Sequence, residues 1–445
     1  MTAVSTRLDW LARWSGLHEV DVAHFGSHWL TFNQIGYRSL VKGIERLGPG
    51  SKAVCTPDNL EIRSTPWSPE GIEKPAGSFQ DTLSGFLEPR DVDRPLSLGL
   101  SGGMDSRLLL ALLTRGSRPF FAHVFGDTAD PDVRISLDIA RGLGLSHRHI
   151  RQSLPSKDEL PGLLREYAGQ VCATVPASTI LRAMGFQELN NEGKLVVDGG
   201  FGEIGRRQYY NRLLRRGAGV IRDKDVSRLY DFLSVNRGSF FSEEVERLMR
   251  QGVDEDLAGL FESMPDAGDL PAGDWADLMA VRHRLPNFFG YEQARLDGIV
   301  PNYMPFAQPS FLRQVFNTPL RQRVNGRLFR QIIRQTAPHL RSYPLVKGGT
   351  TYPFGLGAVS SKLWTQAKGA LRGRFADPIP VTFFFLVAGY LRDLIRDRDT
   401  TSCGLYDIKR LTAAVDAFYR GDMSQMAPLD WWLSFEVWRR SLRDD

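Results

Sequence analysis

Six consecutive residues, Ser101 to Ser106 (Ser-Gly-Gly-Met-Asp-Ser), carry the groups best suited to chemistry in this chain of 445 residues. The two glycines permit a sharp turn and leave backbone N–H groups without side chains in front of them. Free amides at the start of a helix attract anions, because the positive end of the helix dipole lies there. Ser101 and Ser106 add hydroxyl donors, and Asp105 offers a carboxylate to Mg²⁺. The string therefore predicts a cradle for the phosphates of a nucleotide.

Such a cradle needs a strand before it and a helix after it, and the sequence predicts both. Alternating apolar residues indicate a strand at 96–100, and a leucine-rich run indicates a helix at 107–114. Three further short strands are predicted, at 119–125, 147–150 and 194–198. Strands that alternate with helices favour a parallel sheet, whose ligands bind beyond the carboxyl ends of the strands. The glycine turns after these strands are therefore expected to meet the cradle at one pocket.

Other motifs argue against the commoner alternatives. A glycine turn alone would be an ordinary strand–helix connection, but the full string is neither a Walker loop nor the dinucleotide motif G-x-G-x-x-G. Cys55, Cys172 and Cys403 are far apart and form no C-x-x-C, which argues against a zinc ribbon or an iron–sulfur site. His24 and His28 are four residues apart without the glutamate of a zinc protease, so we interpret them as a chance pair.

Composition indicates an ordinary globular protein of one large or two medium domains. The net charge of +5 is mild, and we expect it to be spread along the chain. Such a charge permits anionic ligands and argues against nucleic acid as a partner. We see no signal peptide and no membrane-spanning run, so a cytoplasmic location is expected.

Three separated features coincide in one known family: the loop at 101–106, the glycine-rich turn at 198–205, and Lys347 after a proline-containing turn. With these features the chain resembles the synthetase domain of the asparagine synthetase and β-lactam synthetase superfamily, which includes lasso peptide cyclases. The likeness implies an α/β fold over residues 76–445. That fold would be a parallel-sheet adenine-nucleotide α-hydrolase-like (PP-loop) domain with a largely helical C-terminal half.

Residues 1–75 resemble a truncated piece of the family's N-terminal glutaminase domain, an Ntn-type α+β remnant. A helix is predicted near 8–14 and a hairpin of two strands within 52–63. Glutaminase members carry a cysteine nucleophile directly after the initiator methionine, whereas Thr2 stands here. A Thr2 hydroxyl could act as a nucleophile, but an ordinary chain start is the better interpretation. We therefore expect no glutamine hydrolysis, with nitrogen supplied by a substrate amine or by ammonia.

The resemblance also implies the acting residues, with ATP and Mg²⁺ as cofactors. Asp105 and Glu203 would hold the metal, with Asp198 as the alternative to Glu203. Catalytic roles fall to Lys347, which would neutralise charge on the reacting acyl-adenylate, and to Glu203. The family's usual glutamate early in the second turn is replaced near Gly200. The expected nucleotide-binding residues are Leu100, Ser101, Gly102, Gly103, Asp105, Ser106, Val124, Gly126, Gly199 and Gly200.

The family likeness predicts an amide ligase that activates a carboxylate with ATP and releases AMP and pyrophosphate. Three alternatives stay open: a peptide macrocyclase of lasso type, an ammonia-dependent synthetase subunit, and a non-catalytic nucleotide-binding scaffold. The expected partners are a small-molecule or peptide carboxylate and an amine, with a precursor peptide, an accessory protein or a second copy of the chain as further options. Arg206, Arg207, Tyr209 and Tyr210 line a substrate entrance in one interpretation and form a solvated basic helix in the other.

Overall fold

Five parallel strands form the central sheet of the protein. When all strands are numbered in sequence order, the third to the seventh belong to this sheet, and from one edge to the other they stand in the order five, four, three, six, seven. We describe a computed structural model, which covers residues 3–33, 35–56, 59–71, 77–88 and 93–443. Thr2 lies outside these ranges. The strands of the chain are β1 (Lys52–Cys55), β2 (Leu60–Arg63), β3 (Leu96–Gly99), β4 (Phe120–Phe125), β5 (His147–Ile150), β6 (Leu195–Val197), β7 (Asn302–Tyr303), β8 (Leu345–Lys347) and β9 (Thr350–Tyr352).

The first half of the chain alternates helices with these strands. Its helices are α1 (Leu8–Ser15), α2 (Val22–Thr31), α3 (Phe79–Leu87), α4 (Met104–Leu113), α5 (Pro131–Leu143), α6 (Leu160–Ala168), α7 (Arg182–Asn191), α8 (Asn211–Arg216), α9 (Ala218–Arg222), α10 (Val226–Leu233) and α11 (Glu243–Ser263). The predicted helices near 8–14 and 107–114, the N-terminal hairpin and the four predicted sheet strands are confirmed.

The second half is largely helical. Its helices are α12 (Ala272–Met279), which continues as a π-helix (Ala280–Phe289), α13 (Gly290–Asp297), α14 (Pro309–Asn317), α15 (Leu320–Arg323), α16 (Arg327–Thr336), α17 (Ala358–Arg372), α18 (Ile379–Leu386), α19 (Ala388–Arg396), α20 (Arg398–Ser402), α21 (Ile408–Tyr419) and α22 (Met426–Ser441). In the described part of the chain, none of the helices combines the length and the apolar character that crossing a bilayer requires.

The sheet explains why its strands read as apolar runs. β3 is the central strand, and all of its residues but Gly99 are buried, because helices cover both faces of a parallel sheet. α4 follows β3 with a run of fully buried leucines, Leu108 to Leu110. The sheet strand β7 was not predicted, because two residues are too few to show a periodicity.

The N-terminal segment packs into the same core as the C-terminal helices. Phe25 of α2 stacks on Phe435 of α22 with ring centroids 4.2 Å apart, and Trp29 meets Phe241 edge-on. The hairpin of β1 and β2 is mostly exposed. Contacts of α2 thus cross the domain boundary predicted near residue 75, and that boundary stays a prediction.

Candidate functional site

A crevice between the loops after β3 and β6 is the candidate site. From β3 the chain proceeds outward to β4 and β5, then returns to place β6 on the other side of β3. This reversal is a topological switch point, where open parallel sheets bind ligands beyond the carboxyl ends of their strands. The two loops approach closely, because a Cβ on Gly199 would lie 3.3 Å from the Ser106 backbone nitrogen. The predicted convergence of these two loops is confirmed.

The first loop is tied together by its own hydroxyls and by α5. The Ser101 N–H donates to Ser106 Oγ at 3.2 Å, and the Gly103 N–H donates to Ser101 Oγ at 3.1 Å. The Gly102 N–H donates to Asp132 Oδ1 at 2.8 Å. The expectation that these three amides are free is therefore wrong, because two hydroxyls and a carboxylate accept from them. Burial raises the pKa of Asp132, so this carboxylate is costly to keep charged at its position.

The start of α4 does offer unpaired amides. Gly103 is the N-cap residue and provides no capping side chain. The first N–H groups of a helix have no partner within the helix, so those of α4 point toward the crevice without a cap. This end of α4 can therefore take an anion, as the sequence predicts.

Asp105 is held by Arg206, which the sequence offers either to a substrate entrance or to a solvated basic helix. Arg206 Nε donates to Asp105 Oδ1 at 2.6 Å, and Arg206 Nη2 donates to Asp105 Oδ2 at 2.5 Å. Glu203 Oε1 lies 3.7 Å from the same Nη2 atom. Burial raises the pKa of Asp105 to about 6, while Arg206 opposes that shift. At neutral pH the carboxylate is therefore ionised and paired with the guanidinium.

The close approach of Asp105 depends on Gly202. A Cβ at this position would lie 2.4 Å from Asp105 Cγ, well inside van der Waals contact. The same loop holds three non-glycine residues at positive φ, namely Phe201, Arg207 and Tyr210. Such conformations cost energy and persist where the surrounding structure imposes them, commonly at functional sites.

Asp198 begins the second loop and serves it structurally. Its Oδ1 atom accepts from the Gly200 N–H at 2.9 Å. Burial raises the pKa of Asp198 to about 6, and Glu292 and Glu203 add to the shift. Glu203 contacts the same guanidinium as Asp105, whereas Asp198 turns back on its own loop. Of the two candidates for second metal ligand, the geometry favours Glu203.

Gly200 is closely surrounded by the side chains of Met304 and Phe289. A Cβ there would lie 2.9 Å from Met304 Sδ and 3.4 Å from a ring carbon of Phe289. A side chain at this position would have to displace Met304. An apolar wall of Met304 and Phe289 stands where a charged group would project.

The hairpin of β8 and β9 packs on the first loop. The Val346 N–H donates to Gly102 O at 3.0 Å, and a Cβ on Gly102 would meet Val346 Cγ2 at 2.2 Å. Gly348 and Gly349 have positive φ and make the two-residue turn of the hairpin. Lys347 lies beside the loop, but its side chain is exposed and forms no hydrogen bond or ion pair with any described residue. Side chains alternate along a strand, so Lys347 and Val346 face opposite sides of the hairpin.

Arg107 is a positioning residue that sequence analysis missed. This fully buried side chain donates to the carbonyl oxygens of Pro344 at 2.7 Å, Tyr343 at 2.6 Å and Gly102 at 3.3 Å. It thus joins α4, the loop and the entry to β8. The sequence does contain a signal for this role, because Arg107 directly precedes a run of leucines. A charged side chain is rarely buried among leucines unless it has hydrogen-bond partners.

The remaining predicted nucleotide-binding residues belong to β4 or directly follow β3 or β4. Leu100 directly follows β3, Val124 lies within β4, and both are buried. Gly126 directly follows β4 and has a φ of 135°. Arg207 is not part of an entrance, because it is buried and pairs with Asp277 at 3.3 Å. Tyr209 is also buried, and its hydroxyl donates to Glu203 at 3.3 Å.

The donor set bears on Mg²⁺. Within the described ranges, no group of three or more His, Cys, Asp or Glu side chains is placed to hold a metal ion. Asp105 and Glu203 provide two carboxylates, and Mg²⁺ characteristically takes one or two carboxylates and completes its shell with phosphate and water. The donors therefore fit Mg²⁺ only together with a nucleotide, and Arg206 contacts the same two carboxylates.

Comparison with models of known protein families finds no match, and comparison with curated proteins finds no relative. The chemistry of the crevice therefore has to be argued from its own residues.

Proposed function

We propose that the protein is an ATP-dependent amide ligase that forms AMP and pyrophosphate. The observation that carries the proposal is the position of Ser-Gly-Gly-Met-Asp-Ser between β3 and α4, at the switch point of a five-stranded parallel sheet. The topological switch point, an uncapped helix start and two neighbouring carboxylates coincide there. This combination supports a site for a polyphosphate and a hard cation.

The proposed reaction has two steps. An oxygen of the substrate carboxylate attacks the α-phosphorus of ATP, the bond to the β-phosphate breaks, and pyrophosphate leaves. The nitrogen of an amine then attacks the acyl carbon of the acyl-adenylate, AMP leaves, and the amine gives up a proton. Activation by AMP transfer makes the second step feasible, because a free carboxylate is a poor acyl donor.

The chain's residues have distinct proposed roles. The first-turn amides of α4 hold the departing pyrophosphate, and Asp105 with Glu203 would hold Mg²⁺, which neutralises phosphate charge. Arg206 keeps the two carboxylates together when the ion is away. Lys347 would stabilise the acyl-adenylate, since its strand touches Gly102; for this its side chain has to turn toward the loop.

The apolar wall beside Gly200 supports a substrate with an apolar part. Met304 and Phe289 meet this position where an acidic residue would bind a free amino group. We therefore favour a carboxylate on a larger molecule, a metabolite or a peptide, over the amino acid substrate of asparagine synthesis. Peptide cyclisation and use of free ammonia are versions of the same ligase proposal.

A non-catalytic nucleotide-binding protein is the second candidate. The bidentate contact of Arg206 with Asp105 favours it, because both carboxylate oxygens already have donors. In that case a nucleotide would bind in the crevice and leave it uncleaved.

Incubation with ATP, Mg²⁺ and a panel of carboxylic acids and amines tests the proposal by product analysis. We expect AMP and pyrophosphate in equal amounts, and a loss of at least roughly a hundredfold in their rate for Asp105→Asn. ADP with phosphate, or an Asp105→Asn variant as fast as the parent, would contradict the proposal. Binding of a fluorescent ATP analogue without AMP formation would establish the second candidate.

Gly202→Ala provides a sharper test of the same site. The added methyl group would displace Asp105, so we expect AMP formation to fall about tenfold or more while the chain stays folded. Gly219→Ala is the matched control, because a Cβ on this helical glycine meets nothing closer than 3.6 Å. Equal losses in the two variants would mean that Asp105 has no special place in the reaction.

A further inference from the structure

The positive charge of the chain is concentrated in one segment. Residues 298–376 contain twelve of the 56 Lys and Arg residues and none of the 51 Asp and Glu residues. The rest of the chain, with 44 basic and 51 acidic residues, has a net charge of −7. The expectation that the excess charge is spread along the chain is therefore wrong. A segment that carries only cations attracts an anionic partner.

Within that segment, α17 has its polarity reversed. Ser361 and Thr365 are buried against the protein, and Lys368 on the same side donates to the Thr351 carbonyl oxygen at 3.4 Å. A surface helix normally turns its apolar face inward and its polar face to water. In α17 the polar residues lie on the buried side, and Lys368 bonds to Thr351 of the hairpin. The opposite side of the helix is therefore the one that faces water.

The outward face of α17 is apolar. Val359 is 66% exposed, Leu363 63% and Leu371 85%, and Trp364 beside them is 48% exposed. Val359, Leu363 and Leu371 are four and eight residues apart, and Trp364 directly follows Leu363, so the four side chains share the outward face of the helix. A contiguous exposed apolar stripe of this kind is typical of a binding surface, whereas single exposed apolar residues need no explanation.

A cavity of about 550 Å³ opens beside this helix. Arg134 of α5, Lys368 of α17 and Arg374 just after α17 contribute three cations to its lining, against the single carboxylate of Asp138. The hydroxyl-bearing residues Thr350 and Thr351 of β9 also line it. The cavity can therefore receive acidic groups, and it lies between elements that also contact the first loop.

The helix and the loop are connected through the hairpin. The Phe375 N–H, three residues beyond α17, donates to Gly349 O at 3.1 Å, and Val346 of the same hairpin bonds to Gly102. A segment bound on α17 would thus lie on the element that packs directly against the loop at Gly102.

We propose that the outward face of α17 and the adjoining cavity bind an acidic, partly apolar polypeptide segment. Apolar side chains cover Val359, Leu363, Trp364 and Leu371, and acidic side chains enter the cavity to meet Arg134, Lys368 and Arg374. A polypeptide can send side chains into a recess, whereas a bilayer surface cannot, so the cavity favours a peptide over a lipid surface. That the bound segment brings the carboxylate to be activated rests on the ligase proposal; the binding itself does not.

Fluorescence anisotropy with the full chain tests the proposal without any nucleotide. The probe is a fluorescein-labelled peptide of Leu and Glu at helical spacing, compared with one that has Lys for Glu and one that has Ser for Leu. We expect only the Leu–Glu peptide to bind, with an affinity that falls as salt is added. Because ATP is absent, failure of this test and failure of the ligase test are separate results.

Two pairs of substitutions locate the surface. Leu363→Ser with Leu371→Ser, and Arg134→Glu with Arg374→Glu, should each weaken binding roughly tenfold or more. All four side chains are exposed, so folding should be preserved. The matched controls are Phe385→Ser, which is also 63% exposed, and Lys157→Glu with Lys409→Glu, both exposed and outside residues 298–376. The controls should stay within about twofold of the parent.

Four outcomes would overturn the proposal. One is equal weakening by the target and control variants. The second and third are tighter binding of phosphatidylcholine–phosphatidylglycerol vesicles, or of single-stranded DNA, than of the Leu–Glu peptide. The fourth is a dimer in light scattering that Leu363→Ser with Leu371→Ser dissociates, since a second copy of the chain would then cover the stripe.

Discussion

At the scale of single residues, the carboxylates of the crevice differ in what neutralises them. Asp105 has a guanidinium on both of its oxygens, whereas Asp198 receives one backbone N–H and forms no ion pair with a described residue. Burial without a cation disfavours the charged form, which is why the pKa of Asp198 rises to about 6. Burial also raises the pKa of Asp105 to about 6, but there Arg206 opposes the shift, whereas no cation among the described residues opposes it at Asp198. Asp198 is therefore the simpler position at which to test how burial makes stability depend on pH.

Asp198→Asn should remove the contribution of this carboxyl to the pH dependence of stability. The folded carboxyl keeps its proton up to about pH 6, while in the unfolded chain its pKa is near the ordinary 3.8. Between these values the folded state binds more protons, so the parent loses stability as pH rises. At pH 7.5 the variant should be more stable than the parent by about 3 kcal/mol, and at pH 4 by only about 0.5 kcal/mol.

Urea unfolding between pH 4 and pH 8 measures this effect. Asn can still accept the Gly200 N–H, so the loop should keep its shape. Asp416→Asn, at an exposed position on α21, is the matched control and should leave the pH slope unchanged. A parent whose stability rises from pH 4 to pH 6 more steeply than that of Asp198→Asn would contradict the assignment.

At the scale of elements, two glycines let α2 and α11 touch backbone to backbone. A Cβ on Gly26 would lie 2.3 Å from Met249 O, and a Cβ on Gly252 would lie 2.0 Å from Ala23 O. Neither glycine has positive φ, so each is required by the close approach rather than by backbone conformation. This crossing brings the N-terminal helix close to α11.

Gly252→Ala should destabilise the protein by about 3 kcal/mol, since its methyl group meets a carbonyl oxygen that cannot move aside. Gly259→Ala on the same helix is a control of opposite sign, because nothing lies within 4 Å of its Cβ. It should stabilise α11 by about 1 kcal/mol through helix propensity. Chemical denaturation compares the two, and a similar free energy of unfolding for both would contradict the close crossing.

At the scale of the whole molecule, the N-terminal segment completes a core that the C-terminal helices cannot close alone. Phe25 and Trp29 are almost fully buried against Phe241 and Phe435. Removing them would expose two large aromatic rings of the remaining chain. The exposure of these rings costs more free energy than a local rearrangement of the surface can recover.

A chain that begins at Ser78 should therefore lose its cooperative thermal transition or melt lower by more than about 10 °C. Circular dichroism during heating measures this. Replacing residues 52–63 by a Gly-Ser linker is the control, and it should shift the midpoint by no more than about 2 °C, because the hairpin is exposed. Equal midpoints for the truncated and full chains would instead show that residues 78–445 fold without the N-terminal segment.

Local sequence was sufficient for four of the five sheet strands, the N-terminal hairpin, several helices of the first half and the position of the first loop. Apolar alternation and leucine runs depend on neighbours within a few residues, so β3, α4 and their connection could be predicted from the chain alone. The same holds for the glycine turn after β6. The concentration of cations in residues 298–376 was also present in the sequence, although the net charge concealed it.

Only the tertiary structure decided which side chains meet. Arg206 lies 101 positions from Asp105 along the chain, and Val346 is similarly remote from Gly102, so no local pattern announces either contact. The reversed polarity of α17 likewise becomes visible only when the buried face is known. The physical reason is common to all three: periodicity reports the backbone's local preference, whereas pairing across the fold depends on how remote elements pack.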